Sequence, residues 1–137
     1  MRTLCWFLLI LIPFFYACEV EVLPEAVNYG EDQVYKQGQY YYSADKVLKF
    51  IISGIRDSRC PTDVVCLWQG EAEVGIKIES SGSPSYQDSI SLSTYDNLVD
   101  TLGMYSFELK DVSPYPVSTR EIEQKDYRIR LLIKKLE

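Results

Sequence analysis

The chain has 137 residues, of which 47% are apolar and 13% aromatic, and its formal net charge is −6 at neutral pH. This length suits one domain of common size. The acidic excess argues against binding to nucleic acid or to an anionic membrane through charge, although solubility alone explains such a balance. The chain contains no histidine, which excludes the commonest general base, the triads built on it and most zinc sites.

The N-terminal segment has the pattern of a secretion signal. Arg2 precedes an apolar run at 4–16 that contains a proline and is too short to span a bilayer comfortably. The run leads through Ala17 to Cys18, which resembles the bacterial lipobox, where the cysteine is lipid-modified and becomes the mature N-terminus. We therefore expect a lipoprotein signal peptide over 1–17 and lipidation of Cys18. An ordinary signal peptide and an uncleaved anchor are the alternatives.

A lipid anchor predicts a place for the protein in the bacterial cell envelope. The chain would be held at a membrane, by preference the outer membrane, and would face the periplasm or the outside. Residues 18–32 are acidic and contain a proline and a glycine, a composition typical of a tether, although the valines and leucine at 20–23 could instead open a strand. The domain itself is predicted over 33–137.

Apolar and polar residues alternate repeatedly in the domain, and this period of two predicts β-strands. The segment at 46–55 is apolar on both parities, so we expect it to be buried on both faces. A helical turn fits at 118–126. Hairpin-length links between the segments predict an all-β fold, a two-sheet antiparallel sandwich of about six to eight short strands and immunoglobulin-like size. The predicted strands lie at 40–43, 46–55, 71–79, 89–93, 105–110 and 127–134.

Four cysteines are present, and their positions suggest a different role for each pair. If the lipoprotein signal is correct, Cys5 leaves with the signal peptide and Cys18 carries lipid, so Cys60 and Cys66 remain to pair in an oxidising compartment. A bridge closing so short a loop would stabilise the domain by about 2 kcal/mol. Reduced, the same two cysteines could instead bind copper or zinc, which an exported setting disfavours.

The residues that follow Cys66 are expected to lead into a strand. Trp68 follows Cys66 by two positions, so on a strand it would share the face of that cysteine and cover the disulfide from water. Gly70 would supply a bulge or a close backbone approach before the strand that begins at Glu71. This part of the motif is therefore predicted to be structural.

Charged residues near the motif have a structural and a functional interpretation. We expect Asp57 to accept hydrogen bonds from the turn and Arg59 to pair with a neighbouring acid. Asp57, Asp63 and Glu71 could instead hold calcium, but their spacing matches no known loop. Glu71 and Glu73 share the outward parity of one strand, where solvated acids are usual, so a carboxylate pair for glycoside hydrolysis is disfavoured. The sequence thus predicts no enzyme, no metal site and no cofactor.

In this order, the motif residues resemble a group of small bacterial exported lipoproteins of unassigned function. The resemblance covers roughly 34–136 and implies an all-β domain behind a lipid or secretion signal, with no activity attached. It rests on Asp57, Ser58, Arg59, Cys60, Pro61, Cys66, Trp68, Gly70, Glu71, Ala72, Leu109, Val112, Pro114, Tyr115, Pro116 and Tyr127.

A non-catalytic binding or accessory module, monomeric and with an unknown protein or glycan as partner, is the favoured function. A disulfide-clamped loop is ordered before it meets a partner, which lowers the entropy cost of association. Its tip, Thr62, Asp63, Val64 and Val65, is small or apolar and could enter a groove as the binding loop of a protease inhibitor does.

Binding of cell-surface glycans is the other alternative. The chain has eleven tyrosines, among them the run at 40–42, and sugar rings stack on such side chains. Ordinary packing in a sandwich explains most of them. Because successive strand residues face opposite sides, at least one of the three in the run is expected to be exposed. Glycan binding predicts an exposed cluster of aromatic residues.

Overall fold

The computed structural model describes residues 26–82 and 86–137. These ranges contain short strands and one three-residue 3-10 turn at Gln124–Asp126, which is what remains of the helical turn expected at 118–126. They contain no helix that is long and apolar enough to cross a membrane. The strands are β1 (Ala26–Val27), β2 (Asp32–Tyr35), β3 (Tyr40–Ser43), β4 (Leu48–Asp57), β5 (Ala72–Ser80), β6 (Tyr86–Ser93), β7 (Val99–Leu102), β8 (Tyr105–Ser113) and β9 (Arg128–Lys135).

The strands form two sheets, which confirms the predicted antiparallel sandwich. One sheet has the order β1-β3-β4-β5-β6 and the other β2-β9-β8-β7. Only the pairing of β1 with β3 is parallel among the described strands. The described residues form nine strands, more than the predicted six to eight, because β1, β2 and β7 are two to four residues long and too short to show an alternating pattern.

The core lies between the sheets and takes alternate residues from each strand. In β4, Leu48, Phe50 and Ile52 are at most 1% exposed. On the other parity, Ile51 and Val47, which directly precedes the strand, are only partly buried. The expectation that this segment is buried on both faces was therefore wrong. The opposite sheet covers one face of β4, and the other face contacts solvent.

An aromatic cluster joins the two sheets at the centre of the core. Tyr35, Tyr41 and Phe50 contact one another with ring centroids 4.7 to 5.4 Å apart. Phe107 of β8 meets Phe50 of β4 edge to face at 5.9 Å, across the interface. Such pairs contribute about 0.5–1.5 kcal/mol each beyond burial. Tyr41, in the middle of the three-tyrosine run, is thus a core residue.

The sandwich begins earlier in the chain than predicted. Val27, assigned to the tether, is 1% exposed, and Ala26 pairs with Tyr42. The amide of Gly30 donates to the carbonyl of Ile133 at 2.8 Å. Residues 26–32 therefore belong to the fold. The predictions for 1–25, including the signal peptide, lipidation of Cys18 and the rest of the tether, lie outside the described residues.

Two β-bulges reverse the inward parity near the ends of long strands. In β4 the pairing shifts between Ile52 and Gly54, so Ser53 is an extra residue. In β8 it shifts between Leu109 and Asp111. A bulge moves the following residues to the other face. After the shift in β4, Ile55 and Asp57 point inward, so the carboxylate of Asp57 lies in the interior.

Candidate binding site at one end of the sandwich

The connecting segments 58–71, 94–98 and 114–127 meet at one end of the sandwich, which we call the clamped end. A buried ion pair lies beneath them. Oδ1 of Asp57 accepts hydrogen bonds from the backbone amide and Nε of Arg59, at 3.1 and 2.9 Å, and Oδ2 accepts one from Nη2 at 2.6 Å. Their side chains are 5% and 6% exposed, so the neighbouring acid of Arg59 is Asp57 itself.

Arg59 also connects the two sheets. Its Nη1 donates to the carbonyl of Val112 at 2.7 Å and its Nη2 to that of Pro114 at 3.1 Å. Its guanidinium lies 4.3 Å from the ring centre of Tyr115. Because most of its donors are engaged, the arginine is a structural tie of the fold and has little capacity to bind a ligand anion.

The pair shifts the protonation of its neighbours. Burial disfavours the charged form of Asp57, but hydrogen bonds and charge attraction from Arg59 outweigh it and hold the pKa of Asp57 below its usual value. Tyr127 donates from its hydroxyl to Oδ2 of Asp57 at 3.1 Å. Burial, together with the negative charge of Asp57, raises the pKa of Tyr127 to about 12. Around neutral pH, Asp57 is therefore deprotonated and Tyr127 is protonated.

Gly70 permits the close approach of two backbone segments. Its φ is +66°, and a Cβ built there would lie 1.9 Å from the carbonyl oxygen of Ser58 and 2.9 Å from Cα of Arg59. The contact is held on both sides, since the amide of Cys60 donates to the carbonyl of Gln69 at 2.9 Å and the amide of Ser58 to that of Glu71 at 2.8 Å. Glycine is thus required by both conformation and space.

The disulfide between Cys60 and Cys66 is present, as predicted, and closes the clamped loop, residues 60–66. Half of the loop is fastened to the neighbouring segment. The amide of Thr62 donates to the carbonyl of Pro116 at 3.1 Å, and the carboxylate of Asp63 accepts from the amide and hydroxyl of Ser118 at 2.8 and 2.5 Å. These hydrogen bonds lower the pKa of Asp63.

Trp68 is neither buried nor part of a strand. The segment from 58 to 71 is not a strand, so the parity argument fails, and the indole is 67% exposed. Val64 is 45% exposed, and Val65 and Leu67 are fully exposed. The covalent closure of the loop therefore presents apolar side chains to solvent. Apolar side chains exposed together mark binding surfaces more often than isolated ones do.

A cleft of about 310 Å³ opens beside this loop. Tyr95 and Tyr115, which are 70% and 44% exposed, contribute its aromatic walls. A smaller adjoining hollow of about 170 Å³ is lined by Trp68, Gln69, Gly70 and Tyr95. The full lining of the cleft is Arg59, Gln69, Gly70, Thr94, Tyr95, Leu98, Leu109, Lys110, Asp111, Val112 and Tyr115.

The carboxylates considered for chemistry are separately engaged. Asp57 pairs with Arg59, Asp63 binds Ser118 as described, and Glu71 accepts a hydrogen bond from the hydroxyl of Ser93. Within 26–82 and 86–137, no group of three or more acidic or cysteine side chains could hold a metal ion. That the protein is not an enzyme stays a prediction.

Sequence reasoning did not predict the cleft: Tyr115 was singled out only as a motif residue, and Tyr95 and Leu98 were not singled out at all. Leu98 lies in the link between β6 and β7, Tyr95 precedes it by three residues, and Tyr115 lies between two prolines. None of these short segments carries a pattern that associates it with residues 60–70. The one available signal was an aromatic residue in each link, and it is weak without knowledge of the topology.

The fold and the site define a class: a β-sandwich with one end closed by a disulfide-clamped loop and an aromatic cleft. In comparisons with known proteins, no family model, curated protein or solved structure matches the chain. The resemblance to exported lipoproteins, which rests on the motif residues, stays a prediction.

Proposed function

We propose that this protein is a lipid-anchored, non-catalytic binding module of the bacterial envelope, and that the clamped end is its contact surface. The observation that carries the proposal is the exposure of Val65 on the covalently closed loop and of Leu67 and Trp68 directly after it. Exposing apolar side chains in this way reduces solubility and stabilises no core. Such exposure is therefore expected where a partner covers the surface.

The loop is rigid enough to serve as a preformed surface. The disulfide closes it, Asp63 fastens it to Ser118, and the buried pair of Asp57 and Arg59 holds the strand ends beneath it. Ordering a flexible loop on binding costs about 0.5–1.5 kcal/mol for each immobilised side chain. A loop that is already ordered avoids much of this cost.

The position of the first described residue also supports the proposal. Ala26 lies beside Tyr42, which in turn pairs with Lys49 of β4. Lys49 is eight strand residues from Asp57, about 26 Å at 3.3 Å per residue. The chain thus enters the sandwich far from the clamped end, which leaves that end accessible in a protein anchored through its N-terminus.

Protease inhibition through Thr62, Asp63, Val64 and Val65 has weaker support. An inhibitory loop offers its backbone to the protease as an extended strand, but the amide of Thr62 is engaged by Pro116 and that of Val64 by Pro61. The loop is instead a tight turn. The apolar surface that the structure offers extends beyond the cysteines to Trp68.

A site-specific photo-crosslinking experiment in intact cells tests the proposal. A photoreactive amino acid at position 67 should give a discrete adduct, whereas one at Ala44, an exposed turn residue at the opposite end, should not. Equal labelling at the two positions would refute the clamped end as a contact surface. Membrane fractionation of Cys18→Ala tests the anchor: release of the protein is expected, and unchanged detergent partitioning would contradict it.

A further inference from the structure

We infer that the cleft and its adjoining hollow bind a neutral saccharide, with consecutive sugar rings stacked on Tyr95 and its aromatic neighbours. The inference rests on the proposed function and names the ligand class of the same surface. It is carried by the placement of Trp68, Tyr95 and Tyr115, three exposed aromatic residues from three different links, around one concave surface.

Exposed aromatic rings suit sugars for a chemical reason. One face of a pyranose carries several C–H groups that pack on a π face, while the hydroxyl groups at its rim still reach polar partners and water. Tyr115 is held for this role, since its ring lies against the guanidinium of Arg59 at 4.3 Å. A ring fixed before binding loses little conformational entropy when a ligand stacks on it.

The charges in the lining favour a neutral ligand. Arg59 is occupied by Asp57 and two carbonyls. Lys110 pairs with Glu108 at 2.5 Å, and Asp111 lies 3.9 Å from Arg130. Each charge thus has an opposite charge near it, which favours a neutral ligand over an anion or a cation.

The polar groups available in the cleft suit hydroxyl recognition. Gln69 projects both an amide donor and a carbonyl acceptor, and its side chain has no hydrogen-bond partner in the described parts of the chain. Gln69 also lines the smaller hollow. A single amide between two stacking positions can contact the hydroxyl groups of two successive rings.

The dimensions also fit a short oligosaccharide. Ligand pockets commonly range from about 300 to 1,000 Å³, and the cleft of about 310 Å³ is at the small end. Gln69, Gly70 and Tyr95 line both the cleft and the hollow, so the two spaces lie side by side. Val65 and Leu67 line neither space, which separates the saccharide site from the aliphatic tip that a protein would contact.

Calorimetric titration of the full chain in detergent tests the inference. The probes are neutral oligosaccharides, two to six units long, of glucose, galactose, mannose and N-acetylglucosamine. At least one should bind, and both Tyr95→Ala and Trp68→Ala should weaken it by about tenfold or more. Tyr95→Phe should retain affinity because stacking needs only the ring. Tyr40→Ala, at an exposed tyrosine of β3, is the matched control and should change affinity less than about twofold.

The outcomes separate this inference from the proposed function. Failure of every probe to bind, or binding that Tyr95→Ala and Trp68→Ala leave unchanged, would overturn the saccharide site. A protein adduct at position 67 together with no saccharide binding would keep the binding module and reject this ligand class. Unchanged melting temperatures for the two exposed variants would exclude unfolding as the cause of lost affinity.

Discussion

Replacing Gly70 with alanine should destabilise the domain far more than an ordinary glycine substitution. A Cβ at this position would lie 1.9 Å from the carbonyl oxygen of Ser58, well inside the 3.0 Å that real contacts respect, and the obstructing atoms are backbone. The two segments would have to separate by about 1 Å. That movement weakens the hydrogen bonds from Ser58 and Cys60 to the facing carbonyls, each worth about 1 kcal/mol.

The left-handed backbone at Gly70 adds about 1–2 kcal/mol for any residue with a Cβ, giving about 3–4 kcal/mol in all. Gly38 is the matched control, because its φ is +79° but nothing lies within 4 Å of its Cβ. Gly38→Ala should therefore cost only the conformational part. For a domain of this size each kcal/mol lowers the melting temperature by roughly 4 °C.

Urea and thermal denaturation followed by circular dichroism measure the difference. We expect Gly70→Ala to melt about 12–16 °C below the native protein and Gly38→Ala about 4–8 °C below it. Both variants keep the disulfide, so covalent closure is the same in each. Equal losses in the two variants would refute the argument that close backbone approach, rather than φ alone, requires glycine at 70.

Three further predictions concern the ion pair, its tyrosine and the exposed indole. The native pKa of Asp57 lies below the ordinary 3.8, so its stabilisation is present above that pH and is lost on further acidification. Asp57→Asn should lower the unfolding free energy by about 3–5 kcal/mol at neutral pH, because Arg59 stays buried without its partner. It should also reduce the decrease of the unfolding free energy with falling pH in the acid range, and an unchanged decrease would contradict this. The pKa of Tyr127 is raised from 10.0 to about 12, so its contribution is present below pH 10 and is lost as pH rises through 12. Tyr127→Phe should remove this loss of unfolding free energy at alkaline pH, which is about 2 kcal/mol. Denaturation measured between pH 10 and 12 tests this, and a loss that persists in the variant would show that another group causes it. Trp68→Ala should change the unfolding free energy by less than about 0.5 kcal/mol, since the indole is exposed, whereas a large loss would restore its role as a cover for the disulfide.

The sandwich could be predicted because its long strands bury one face each. Ala72, Val74, Ile76 and Ile78 of β5 are all fully buried, and their alternation with polar residues is visible in the sequence. The same rule failed for β4, where Ile51 and the preceding Val47 are apolar yet only partly buried. A strand can carry apolar residues on its solvent-facing side. Composition alone therefore does not show whether one or both sides of a strand are buried.

The site could be predicted only where its causes are local. The disulfide and the glycine at 70 follow from close spacing and from turn chemistry. The parity argument for Trp68 failed because it assumed a strand where the chain forms an irregular loop. The meeting of Tyr95 and Tyr115 around one cleft depends on strand order in two sheets, which no local pattern encodes.

The bulge at Ser53 has a consequence for how this protein can change over time. Ser53 has no partner on β5, whereas Ile52 pairs with Ile76 and Gly54 with Gly75. Deleting Ser53 would therefore leave a regular ladder, with Asp57 still opposite the buried Ala72. The strand can thus change its length by one residue at this position without moving the ion pair beneath the clamped end or the aromatic core. Residues of the loop and the cleft can diversify on a constant frame, so proteins sharing this architecture could differ in ligand without any alteration of the core.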